Sequence, residues 1–147
     1  KKMKDLKIEI SIPKEAIEEV LITAMEGGSN YWYALNGDEN RCSTWLDSQI
    51  AKGNLERDKS VHYKWMDAIF QGCPHEISVY DVEELYDDDD AECIGKLSMK
   101  SIAKGIALAN KDYPEHFSNH FPEYDNGDGH SADVIFQLIV LGEVAYG

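Results

Sequence analysis

Residues Ile77–Leu97 read I-S-V-Y-D-V-E-E-L-Y-D-D-D-D-A-E-C-I-G-K-L, two β-prone apolar ends around an acidic middle. The ends, Ile77–Val82 and Cys93–Leu97, predict two strands of a β-hairpin, and Glu83–Glu92 predicts a solvated connection. From Asp81 to Glu92 the stretch holds eight acids in twelve residues. A sheet edge carrying such charge resists edge-to-edge pairing, and the same run can imitate a phosphate backbone in a basic cleft of a nucleic-acid-binding protein. Because helical patterns lie on both sides, this hairpin sets the fold class as α+β with a small antiparallel sheet.

Outward from the hairpin, Leu6, Ile8, Ile10 and Ile12 alternate with polar residues and predict another strand. Pro13 stops it and opens a helix whose Ile17, Val20, Leu21, Ala24 and Met25 share one face. Gly27 is placed as its left-handed C-cap. Tyr31–Leu35 reads as an aromatic strand, and Asn36-Gly37-Asp38 as a turn. Short helices are expected from Thr44 to Lys52, capped by Ser43, and from about Val61 to Phe70, capped by Asp58 or Ser60. Ser98 caps a clean amphipathic helix with Met99, Ile102, Ala103, Ile106 and Ala107 on one side, which Tyr113-Pro114 ends. His116–Gly129 reads as a long irregular loop. Ser131 caps a last helix, Ala132 to about Leu141, apolar on nearly every face and therefore central to the core or buried between subunits. Asp133, Gln137, Leu138 and Leu141 are its candidate interface residues.

The chain has 147 residues, enough for one domain, with 28 acids against 14 bases and a net charge of −14. That field repels polyanions, so direct nucleic-acid binding and anionic membranes are disfavoured, while a basic protein partner is permitted. No apolar run is long enough to span a bilayer and no leader pattern opens the sequence. Cys42, Cys73 and Cys93 are unpaired in spacing and read as buried thiols of a reduced, cytoplasmic protein.

Catalytic motifs are missing: there is no P-loop, nucleophile elbow or dinucleotide fingerprint. His116 and His120 form H-x-x-x-H with His130 nearby, but without the glutamate of a zinc protease, and Asp125–Gly129 fails the register of a calcium loop. No metal and no cofactor is expected. The best ligand candidate is M-E-G-G-S-N-Y-W-Y, Met25–Tyr33. There Gly28 permits close backbone approach, Asn30 offers a donor and an acceptor, and Tyr31, Trp32 and Tyr33 offer faces for a base. If these rings lie on a strand, Trp32 and the Tyr31/Tyr33 pair point to opposite sides. Lys100, Lys104 and Lys111 form a stripe on the outer side of their helix, and Lys100 and Lys104 are the candidates for phosphate.

Two segments, E-G-G-S-N-Y-W-Y (Glu26–Tyr33) and S-A-D-V-I-F-Q-L-I-V-L-G-E-V-A-Y-G (Ser131–Gly147), resemble those of a family of short phage and prophage proteins of undefined function. Family members often carry Phe where Leu141 stands, and the middle of the chain does not share the likeness. The resemblance implies a viral origin and a host-cytoplasm location, and supplies no catalytic residues. In that setting the expected function is a non-catalytic, homo-oligomeric sponge for a small nucleotide-type immune signal. The alternatives are an acidic inhibitor covering a host defence protein, and a nucleotide-cleaving enzyme using His116, His120 or His130.

Overall fold

The computed structural model of the protein describes residues 4–88, 90–123 and 127–147. Its described residues form helices α1 (Lys14–Thr23), α2 (Asp38–Ala51), α3 (Lys64–Phe70), α4 (Val82–Asp87), α5 (Met99–Asp112), α6 (Pro114–His120) and α7 (Gly129–Leu141). Strands β1 (Tyr33–Leu35), β2 (Ile77–Asp81) and β3 (Gly95–Leu97) complete an α+β fold. The sheet is antiparallel in the order β1-β2-β3, with Leu35 opposite Val79 and Ile77 opposite Leu97. The predicted hairpin is therefore present but shorter. Val82 leaves the strand because Asp81 caps α4, accepting from the amides of Glu83 (2.9 Å) and Glu84 (3.2 Å). Glu83 and Glu84 then sit beside the positive end of that helix, so part of the acidic connection is helical.

Helix α7 is the spine. Ser131–Val140 are all buried, and α1, α5, α6 and β3 pack around them. The helix is thus internal to the fold, and the expectation that Asp133, Gln137 and Leu138 form a subunit interface is corrected; each is buried within one chain, and Leu141 is half-buried. Glycines set the close approaches. A Cβ on Gly105 would lie 2.3 Å from Ile139 Cα, so α5 and α7 meet backbone to backbone. Asp128, rather than Ser131, caps α7 by accepting from the Ser131 amide at 2.9 Å. The Ser98 cap of α5 stands as predicted, as a reciprocal pair with Ser101.

Several expectations fail for identifiable reasons. Gly27 is not a left-handed cap; α1 widens into a π-helical turn, Ala24–Gly28, closed by Ser29 N–H donating to Ala24 C=O at 2.7 Å. α2 starts at Asp38, not Thr44, because Gly37 reverses the chain at φ 91° and Asp38 and Glu39 favour a helix start. α3 begins only at Lys64: Asp58 is engaged by Lys14 and Ser60 instead of capping a helix. The irregular loop read over 116–129 is partly helix α6, for which Pro114 supplies a favourable first position. Leu6–Ile12 belongs to no strand, since its alternation finds no partner strand among the described residues. Cys42 is buried, Cys73 half-buried and Cys93 exposed. No helix among the described residues is long and apolar enough to cross a membrane.

Candidate functional site

The segments Glu26–Tyr33 and Ser131–Gly147 meet around Asp133. Its carboxylate accepts from Ser29 Oγ (2.7 Å), Tyr31 Oη (2.6 Å), Trp32 Nε1 (2.8 Å) and Gln137 Nε2 (3.1 Å). One turn along, Gln137 Oε1 accepts from the amides of Ala145 (2.8 Å) and Tyr146 (2.9 Å) and so holds the tail beyond α7. Tyr146 stacks on Trp32 with centroids 5.0 Å apart, and its hydroxyl donates to Asp81 at 2.8 Å. The spacing that does this is simple: Asp133 and Gln137 are four apart and share one side of an otherwise apolar helix. Buried polar groups of this kind need full satisfaction, and here each side chain finds it.

This geometry decides which ring looks outward. Trp32 is 1% exposed and its faces are covered by Tyr146 and Phe136, so it cannot stack on a ligand. Tyr31 and Trp32 lie in a turn before β1, which removes the strand alternation expected of them. Tyr33 is half-buried, its hydroxyl donating to Met25 C=O at 2.6 Å. Tyr31 is 50% exposed and fixed by Asp133, with Asn30 exposed beside it. Desolvation first, then the hydrogen bond to Asp133, pushes the Tyr31 phenol up to about 12; desolvation and Asp81 do the same for Tyr146. Both remain neutral donors at pH 7. Gly28 makes its close approach to protein rather than ligand, since a Cβ there would lie 2.1 Å from the Gly129 carbonyl oxygen.

Lys100 and Lys104 are exposed on α5, which packs on α7 at Ile139. Ile139 and Asp133 are six residues apart, roughly 120° around the α7 axis. The lysines and the Tyr31 ring therefore approach α7 from different sides.

A second cluster went unread in the sequence. Asn40, Arg41, Thr44, Trp45, Ser48 and Gln49 recur at one-face spacing on α2, with Lys52 following as its C-cap, opposite the buried Cys42 and Leu46. With His75 they line a shallow depression of about 480 Å³. Arg41 Nη2 lies 3.4 Å from His75 Nδ1, and Trp45 is half-buried. The chain has two arginines. Arg57 is locked to the buried Asp67 at 2.9 Å, whereas among the described residues neither Arg41 nor Lys52 is in an ion pair. The signal in the sequence was Arg41-x-x-x-Trp45, hidden by starting α2 too late; His75 arrives from another segment.

The histidines do not converge on a metal. His116 and His130 have ring centroids 5.2 Å apart, while His120 is fully buried against Gly127. His116 Nδ1 lies 2.9 Å from Ser131 Oγ, but that hydroxyl is 3.0 Å from Asn119 Nδ2 and Ser131 is 3% exposed, which shields it from any substrate. No cluster of three or more potential ligands among the described residues is arranged for a metal ion. Asp125 and Asn126 of the D-N-G-D-G turn, and Asp89 of the acidic run, lie outside the described residues.

In comparisons with known proteins, no family model, curated protein or solved structure matches this chain.

Proposed function

We propose that the protein is a non-catalytic binder that sequesters a small nucleotide-type signal, a counter-defence role common among small accessory phage proteins, and that the ligand sits over α2. The observation carrying this reading is the depression of Trp45, Arg41, Lys52 and His75 in a chain of net charge −14. A volume of about 480 Å³ suits a ligand of nucleotide size. Trp45 supplies a face for a base, a contact contributing on the order of 1–3 kcal/mol. Arg41 offers a planar fork for phosphate and Lys52 a second charge, with Asn40 and Gln49 for base or ribose edges.

Calorimetry against a panel of cyclic nucleotides and cyclic ADP-ribose isomers tests the reading. Binding should appear with at least one ligand, survive Tyr31→Ala and fall at least tenfold in Trp45→Ala. Silence across the panel from folded protein would end it, and loss through Tyr31 alone would return the site to the Asn30–Tyr31 patch. Release of the ligand unchanged on denaturation separates sequestration from cleavage.

One observation favours the acidic-inhibitor reading as an alternative. Tyr86 is 90% exposed on α4 beside Glu83 and Asp87, a ring set among acids as an interface anchor is. Replacing Asp87–Asp90 by Asn together with Tyr86→Ala disables such an inhibitor and leaves a sponge intact.

A further inference from the structure

Residues 4–12 belong to no helix or strand, and three apolar residues of their alternating row lie in the open: Leu6 is 87%, Ile8 75% and Ile10 51% exposed. No backbone–backbone hydrogen bond joins this segment to the rest of the described chain. Period-two alternation with unpaired amides and carbonyls is a strand in need of an edge. We propose that this edge is the same segment of a second copy, paired antiparallel about Ile8.

Charge fixes the register. With Ile8 opposite Ile8, Lys7 faces Glu9 of the second copy and Glu9 faces its Lys7, while Leu6 faces Ile10 twice. Opposite charges directly across a strand pair stabilise it, and like charges oppose it. The two adjacent registers that keep the apolar faces together set Lys7 against Lys7 or Glu9 against Glu9. The contact is therefore self-complementary, as a two-fold interface requires. Two strands alone are marginal in water and need an apolar surface beneath them. Met99, Ile102 and Ile106 of α5 supply one, lining with Ile8, Ile10 and Ile12 a groove of about 350 Å³. A partner strand places its own Leu6, Ile8 and Ile10 on that same side. The proposal is independent of what α2 binds, and it moves the oligomer contact from α7 to the segment before α1.

Sedimentation equilibrium of the full chain at about 1–500 µM tests it. The mass is expected to rise from 16.6 kDa toward twice that value with concentration. Lys7→Glu should weaken the dimer about tenfold, Glu9→Lys should do likewise, and the double variant should recover to within about threefold. Thermal melting by circular dichroism should be unchanged among dilute samples of the variants, because Lys7 and Glu9 are exposed and lie outside the core. A mass of 16.6 kDa at every concentration overturns the proposal, as does a dimer indifferent to the single variants or a double variant that fails to recover.

Discussion

Asp133 and Arg41 keep similar company, each among hydroxyl or amide groups and a tryptophan, and their circumstances are opposite. Around Asp133 three of the four donors come from residues more than a hundred positions away, the fourth is Gln137 one turn along, and every one is engaged inside the protein. Around Arg41 the neighbours come mostly from one helix face, Arg41 and Lys52 are exposed, and Trp45, which packs on the core, is only half-buried. The contrast teaches that residue type does not distinguish structural from ligand-facing clusters. Closure does: a polar aromatic cluster satisfied by its own chain maintains the fold, and one left unsatisfied at the surface is available for something else.

If that division holds, Asp133→Ala has the largest effect. It strands the hydroxyl of Ser29 and the indole N–H of Trp32, both buried, and should cost about 3–5 kcal/mol in urea denaturation. Gly105→Ala should follow at about 2–3 kcal/mol, because its Cβ forces α5 off α7 at Ile139. Gln137→Met releases the tail amides of Ala145 and Tyr146 and should cost about 1–2 kcal/mol, with Trp32 fluorescence moving to longer wavelength as Tyr146 leaves its face.

A pH dependence comes next. Burial holds the His120 imidazole below its ordinary 6.5; Asp128 opposes this and His116 adds to it. Below 6.5 the unfolded chain takes the proton more readily than the folded one. Stability is therefore full above that pH and declines as pH falls through it toward the folded value, and a fold-preserving His120→Gln variant should lose this part of the slope. The smallest effect belongs to Arg41→Ala, expected within about 0.5 kcal/mol of the parent in stability while weakening any α2 ligand. A large stability loss there would make the α2 cluster structural and erase the contrast with Asp133.

Sequence periodicity carried the parts of the fold that are locally encoded. The Ser98-capped helix and the Ile77–Leu97 hairpin are written in contiguous residues, and both are present. The Leu6–Ile12 alternation was equally clear, but a strand exists only with a neighbour, and none lies among the described residues. α6 was obscured by the two prolines around a polar segment, although Pro at a first helical position favours a helix start. Of the candidate site, the pairing of Asp133 with Gln137 was available from their four-residue spacing on an apolar helix, since two such groups in a core demand donors. Which donors answer them was not, because Ser29, Tyr31 and Trp32 reach Asp133 only through the tertiary fold. The same limit hid His75 from Arg41.

The lateness of α7 has a consequence for how the protein is made. The helix on which α1, α5, α6 and β3 all pack begins at Gly129, so each of those elements is synthesised before the spine exists. Until then the apolar faces of α1 and α5 have nothing to close on, and the Ser29–Trp32 turn lacks its carboxylate. Contacts of such long sequence separation form slowly and together. Chains stalled before Gly129 should be digested readily by protease, and chains carried past Gly147 should become resistant in a single step. Helices α1, α5 and α6 thus wait unprotected during synthesis and are ordered only when α7 emerges.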